Sequence, residues 1–352
     1  MLHILAPRRR EFGCGVCDQN EVVVSRLRAA GVQVHTTHFN ETGYQVPDDV
    51  RPGDVVFLQF SIYGFAKRGA PIWLPDVLRR LKSAGARVVT FFHELWVRWP
   101  RVTSSAFWLA PVQRAVCERT LALSDTAIFN VERGYEWARR RKAQRDIRYI
   151  RTFSNVGEPD IVPPWATRQD NMVVFGNPKA RVDIYRALLE SIPHLAGRVP
   201  LGIIDLGQPA PDLDRYIGDR GSIHSHFRSI ERAGPLPGEA VGRILVENKF
   251  GLFAAPWGHA GKSSVLAAYM AHRMCPVSIY DRSDTRAPAL LPPKPSVHFA
   301  LLHNMDLQTA HMSSVFAAIA DTAYHAYQSS HHVVALLRDA LAEPVRQPLV
   351  IP

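Results

Sequence analysis

Asp54-Val55-Val56-Phe57-Leu58-Gln59-Phe60 places apolar side chains on both alternating faces in a run too short for a helix. That is the pattern of a strand buried on both sides within a parallel sheet. An amphipathic stretch, Pro75–Ala84, follows and stops at Gly85, and Ala86–Phe92 is a second such run. Strand, helix and strand at this spacing predict a parallel βαβ unit within a doubly wound sheet. The pattern continues on both sides. Leu2–Ala6 reads as a strand, Asn20–Ala30 as a helix closed by Gly31, and Val32–Thr37 as the next strand. Downstream come a helix at Thr103–Leu123, a short strand at Thr126–Asn130 and a basic helix carrying Arg139-Arg140-Arg141-Lys142, with Arg145 and Arg148 beyond.

The alternation breaks at Ser154–Gln169, where Pro159, Pro163 and Pro164 interrupt it, and an interdomain linker is expected there. It then restarts with strands at Met172–Phe175, Leu201–Leu206, Gly251–Ala255 and Cys275–Ile279. Helices are expected at Asp183–Ser191, Gly238–Val246 and Ser264–Ala271. Pro288–Pro295 reads as a loop, and helices near Met312–Ser329 and His331–Ala342 close the chain. The expected fold class is α/β: two Rossmann-like domains with an interdomain cleft, and C-terminal helices. The domains are drawn at 1–160 and 170–325, with a helix and tail over 326–352.

The 352 residues suit two domains. Their composition, 47% hydrophobic and 21% charged, excludes a disordered chain. No apolar run is long enough to span a bilayer. Met1–Pro7 followed by Arg8-Arg9-Arg10 reverses the order of a secretory signal, and four cysteines make no disulfide framework. A cytoplasmic protein is expected, peripheral on the inner face of the membrane. The net charge of +10 is unevenly placed. Residues 1–155 carry 24 Lys plus Arg against 14 Asp plus Glu, while 156–352 carry 18 of each. The first half therefore expects an anionic partner.

Four strand-to-helix loops carry the candidate chemistry. Gly13-Cys14-Gly15-Val16-Cys17-Asp18 offers close backbone approach and a helix N-terminus, with Asp18 as a cap, which suits a phosphate- or acceptor-contacting loop or a plain tight turn. Its C-x-x-C invites a redox reading, but a thioredoxin unit is far shorter than this chain and nothing else in it supports redox chemistry. His93-Glu94 ends a strand, where a titratable pair suits proton transfer or ligand binding. It leads into Trp96, Arg98 and Trp99, then Phe107-Trp108, an aromatic and basic mixture that fits a membrane-interface patch or a core edge. Gly176-Asn177-Pro178-Lys179-Ala180-Arg181 joins a flexible glycine to two cations, the chemistry of a diphosphate site. Gly261-Lys262-Ser263-Ser264 has the core of a P-loop, but Pro256 stands where the motif needs its first glycine. His224/His226 and His331/His332 have no companion ligands, so no metal site is expected.

Taken in order, these loops resemble a bacterial nucleotide-sugar glycosyltransferase of GT-B type, close to glycosyltransferase family 4. The resemblance rests on Gly15-Val16-Cys17-Asp18, Val88–Glu94, Phe153–Gly157, Gly234–Val241 and Gly261–Val277. One departure is that many members carry two glutamates seven residues apart at the donor helix, where this chain has Lys262 and serines. The resemblance implies a retaining transfer that needs no cofactor and no metal, from a nucleotide-sugar donor to a glycan or lipid-linked acceptor. It implies donor contacts at Gly13, Gly15, Gly176, Asn177, Lys179, Arg181, Gly261, Lys262, Ser263 and Ser264. Asp18, Trp96, Arg98 and Trp99 would touch the acceptor, with His93 and Glu94 near the reacting centre. An anionic membrane surface is a further expected partner, and nucleic acid is not. The competing reading is a P-loop-like nucleotide-binding protein or NTPase using Gly261-Lys262-Ser263.

Overall fold

The computed structural model describes residues 1–8, 15–39, 49–96, 102–141, 146–191, 199–218, 223–255, 257–280 and 297–330. They form two compact units, the first holding Met1–Ile150 and the second beginning at Arg151. Each is built on a six-stranded sheet in which every pairing is parallel.

In the first unit the strands are β1 (Leu2–Pro7), β2 (Val34–Phe39), β3 (Val55–Ser61), β4 (Arg87–Glu94), β5 (Thr126–Phe129) and β6 (Asp146–Tyr149), in spatial order β2-β1-β3-β4-β5-β6. Val56, Phe57, Leu58 and Phe60 of β3 are completely buried, as a strand packed by helices on both faces requires. Each such side chain contributes about 1.5–3 kcal/mol on leaving water. The main helices are α1 (Gly15–Ala29), the one-turn α2 (Ile62–Phe65), α3 (Leu74–Ser83), α4 (Ser105–Leu123) and α5 (Glu132–Arg141). Helix α3 buries Leu74, Val77, Leu78 and Leu81, a clean helical stripe, against the β3–β4 core. Edge strand β6 escapes the sequence pattern because its four residues are all only partly buried and polar at alternate positions.

The second unit contains β7 (Gln169–Phe175), α6 (Pro178–Ser191), β8 (Gly202–Leu206), α7 (Pro211–Ile217), β9 (Ile230–Gly234) and α8 (Gly238–Glu247). There follow β10 (Asn248–Phe253), α9 (Ser264–Ala271), β11 (Cys275–Ser278), β12 (Ala300–Leu301) and α10 (Ser314–Ser330). The sheet order is β12-β11-β10-β7-β8-β9, so the chain runs outward from β7 through β8 and β9, then returns to β7's other side as β10. Tyr269 of α9 is wholly buried beneath this reversal, and its hydroxyl lies 3.1 Å from the Val173 carbonyl and 3.0 Å from that of Leu252. Burial holds its pKa far above that of a free phenol, so it remains a donor. Gly251 makes room for its ring, since a Cβ there would meet it at 2.5 Å.

The unit boundary falls before the proline-rich segment because Ser154–Gln169 packs onto the second unit. Thr152 N–H donates to the Gly261 carbonyl (2.9 Å) and Ser154 N–H to Tyr327 Oη (3.0 Å), which in turn donates to Glu158 (2.8 Å). Buried Arg168 donates to the carbonyls of Pro163, His272 and Arg273 at 2.7–3.1 Å. The expected helix at 331–342 and the loop at 288–295 lie outside the described residues.

Candidate functional site

The strand order of the second unit reverses between β7 and β10, and the carboxyl ends of strands at such a switch point are where open α/β sheets bind ligands. Two helices begin there. Behind β7, Gly176 takes φ = +135°, accessible mainly to glycine, and Asn177 caps α6 through Oδ1, which accepts the Ala180 N–H at 2.9 Å. Behind β10, Trp257–Lys262 forms a 3₁₀ turn and Ser263 caps α9, its Oγ accepting the Leu266 N–H at 3.1 Å. A Cβ on Gly176 would lie 3.6 Å from Val265 of α9, so the two helix starts meet at one place. Lys179 and Lys262 are both exposed beside them. Converging N–H groups, two helix dipoles and two ammonium groups can hold a polyanion such as a diphosphate.

Arg181 does not join them, which corrects the sequence expectation. Its side chain is 1% exposed and forms a two-pronged ion pair with Asp205 of β8, itself 2% exposed. Its third contact is the Gln208 carbonyl at 2.6 Å. Tyr185 donates to the same Asp205 at 2.8 Å; burial first, then that carboxylate, keep the phenol protonated well above its usual pKa. Three buried groups therefore tie α6 to β8 and its following loop. Gly207 in that loop also has φ = +135°, and a Cβ there would come within 2.9 Å of both the Gly176 carbonyl and Arg181. Arg181 is thus committed to holding α6 against β8 and the loop after it. The loop 261–264 also departs from a phosphate-wrapping P-loop, since its glycine and lysine lie in a 3₁₀ turn.

In the first unit, the His93-Glu94 pair is divided. His93 is buried, its ring tilted against that of Phe91 at 4.2 Å, and hydrogen-bonded to Gln59 Oε1 at 2.5 Å. Glu94 is exposed at the strand end, 3.4 Å from the Ser61 hydroxyl. Trp96 is partly buried and meets Trp137 edge-on at 5.1 Å, which makes it part of the core margin. Gly15 opens α1, exposed, and Asp18 follows in its first turn, partly buried. Cys17 points inward and donates to the Pro7 carbonyl (3.9 Å), a core thiol. Gly13, Cys14, Arg98 and Trp99 lie outside the described residues. A cavity of about 570 Å³ lies between α1 and β2, lined by Asn20, Glu21, Ser25, Arg28, Thr36 and His38 among others. Asn20 Oδ1 and Thr36 Oγ1 are buried there without a hydrogen-bond partner among the described residues. Sequence reading missed this cavity because it depends on how α1 packs against the neighbouring edge strand, which no residue spacing records.

No protein-family model matches the sequence, and no curated protein matches it either. Solved structures do. An α-glucosyltransferase in complex with UDP and a 13-mer DNA containing an HMU base superposes with a TM-score of 0.57 at 10% identity, over 97% of this chain and 98% of that one. An α-glucosyltransferase in complex with UDP gives 0.56 at 11% identity, over 97% and 99%. The lipopolysaccharide outer core galactosyltransferase WaaB gives 0.51 at 11%, over 97% and 98%. The chain has the GT-B fold. At such identity the likeness is one of backbone architecture, and the GT-B crevice of the second unit must be read from its own residues. Those residues are Gly176, Asn177, Lys179, Gly207 and 261–264. Gly207 had no sequence signal beyond a glycine after an apolar run.

Proposed function

We propose that this protein is a glycosyltransferase that binds a nucleotide-sugar donor in the second unit, at the meeting point of α6 and α9. The observation that carries the reading is that juncture itself: two capped helix N-termini and two exposed lysines where the sheet order reverses. Transfer builds negative charge on the leaving diphosphate, and fixed N–H dipoles with Lys179 and Lys262 stabilise that charge as it forms. The bound UDP of the α-glucosyltransferases supports a nucleoside diphosphate as the donor's leaving group. We assign the acceptor to the first unit, where Asp18 lies in the first turn of α1, the helix that lines the α1–β2 cavity. Glu94 is the member of the His93–Glu94 pair offered to substrate, with His93 and Gln59 fixing the strand end behind it. The proposed acceptor is a glycan or lipid-linked saccharide and the proposed outcome is retention, as family 4 resemblance implies.

The test is calorimetric titration with UDP. Each of Lys179→Ala and Lys262→Ala removes a charge-assisted contact of about 1.5–3 kcal/mol, an expected loss of roughly ten-fold or more. Unchanged affinity in both variants overturns the donor assignment. A thermal-shift screen against UDP-, GDP-, dTDP- and CMP-sugars identifies the base.

A second reading replaces the glycan with nucleic acid. It is supported by the cationic excess confined to residues 1–155 and by the DNA bound to a structural neighbour. Its signature is DNA binding that weakens steeply with salt, and sugar transfer to that DNA.

A further inference from the structure

At the amino-terminal edge of the first sheet, β1 and β2 pair with His3 directly opposite His35. Their rings meet edge-on at 5.6 Å, and Asp49 reaches both: Oδ1 lies 3.9 Å from His3 Nδ1, and Oδ2 lies 3.2 Å from His35 Nδ1. The three ligand atoms all fall within 4.8 Å of one another. We propose that His3, His35 and Asp49 form a divalent-metal site, for zinc, that fastens edge strand β2 and the chain at Asp49 to β1. The proposal is independent of the glycosyl-transfer reading.

Two observations beyond the clustering point to a ligand. His3 is completely buried, yet its Nδ1 has no hydrogen-bond partner among the described residues. Its other nitrogen, Nε2, faces Asp54 Oδ2 at 3.3 Å, and Asp54 is itself fixed by the Arg51 N–H (2.9 Å) and the Met1 amino group (2.6 Å). A neutral imidazole that donates Nε2–H to a carboxylate presents a lone pair at Nδ1, the arrangement found behind metal-ligating histidines. Nδ1 of His3 faces a second carboxylate, and with the Nε2–H given to Asp54 it would meet that carboxylate as acceptor against acceptor, a conflict that a shared cation reconciles. Two imidazoles and one carboxylate, with a position left to water, is a donor set that zinc accepts. Tetrahedral coordination at ordinary bond lengths needs ligand atoms about 3.4 Å apart. His35 and Asp49, 49% and 51% exposed, have the freedom to close the remaining gap. Solvent reaches the site from their side. The sequence did not reveal the trio, because residues 3, 35 and 49 share no ligand spacing and meet only through parallel pairing.

The alternative is a doubly protonated His3 between Asp49 and Asp54, which binds no metal. Tag-free full-length protein, stripped with chelator and dialysed, is titrated with zinc by calorimetry and with cobalt by visible absorption. The expected result is one zinc per chain, the intense bands of four-coordinate cobalt and a raised melting temperature that chelator reverses. His35→Ala and Asp49→Asn, both at exposed positions, should abolish all three. Asp54→Asn should weaken zinc about 10–100-fold while leaving the ligands in place. No zinc uptake by the parent, or uptake unaltered by both His35→Ala and Asp49→Asn, overturns the site.

Discussion

Arg181 offers the sharpest separation between two readings of one residue. As a diphosphate ligand, its loss would weaken nucleotide binding and leave folding alone. As a buried brace, its loss strips Asp205 of both guanidinium contacts and leaves a carboxylate at 2% exposure with only the Tyr185 hydroxyl. Leaving one partner of a buried pair uncompensated costs about 3–5 kcal/mol. Arg181→Met is therefore expected to lose about that much stability. Arg181→Met with Asp205→Leu removes both charges. The remaining cost is the stranded Tyr185 hydroxyl and Gln208 carbonyl, about 1–3 kcal/mol, so the double variant is the more stable of the two. Urea denaturation of the full chain measures the order of stability. Hydrogen exchange at the β8 amides localises the loss to the second unit, as a two-unit chain requires. Arg181→Met within about 1 kcal/mol of the parent, with nucleotide binding impaired, would refute the argument, as would a double variant less stable than the single.

Three further outcomes follow from particular contacts. Burial lowers the pKa of His272 from 6.5 to about 4, against the bond that its Nδ1–H makes to the Ala268 carbonyl (2.7 Å). The unfolded chain therefore binds the extra proton first. The stability tied to this neutral ring is full above about pH 6.5 and is lost as pH falls toward 4, by about 3 kcal/mol. His272→Gln should flatten urea-derived stability between pH 4.5 and 7, and an unchanged slope would count against it. Gly251→Ala should destabilise by about 1–3 kcal/mol because its methyl meets the Tyr269 ring, with partial rescue by Tyr269→Leu; equal costs with and without Tyr269→Leu would exclude that clash. Trp108 stands 73% exposed on α4 beside exposed Phe107 and Val112, while Glu118 at the far end holds Arg141 of basic α5. If this face meets membrane, Trp108→Glu should abolish flotation with phosphatidylglycerol vesicles; undiminished flotation assigns the patch elsewhere.

No helix among the described residues is long and apolar enough to cross a membrane. The basic run at 139–141 is also less free than its sequence suggests. Arg139 lies over Tyr135, Arg141 lies over Trp137 and bonds to Glu118, and Arg140 faces Glu136. Any electrostatic attraction to an anionic surface draws on charges that already have neighbours.

Local pattern alone determined the elements with strong periodicity. The buried strand at 54–60, the helix at 75–84 and the glycines after strands were legible because burial on two faces, helical stripes and positive φ each restrict residue type locally. Edge strands such as β6 and β9 were not, since none of their residues is fully buried and no continuous apolar run marks them. The crevice loops could be named from the glycine, lysine and helix-start pattern. Their convergence could not, because it depends on β10 returning beside β7, a pairing of residues about 80 apart. Tertiary structure also decided the fate of like residues. Arg181 and Lys179 sit two positions apart on α6, but a turn of 100° per residue sends one inward to Asp205 and leaves the other in solvent. His3 and His35 are unremarkable in the chain and become a candidate metal site only when parallel strands bring them into register. Sequence fixes which chemistry is available; the sheet order and the inward faces decide which groups reach a ligand.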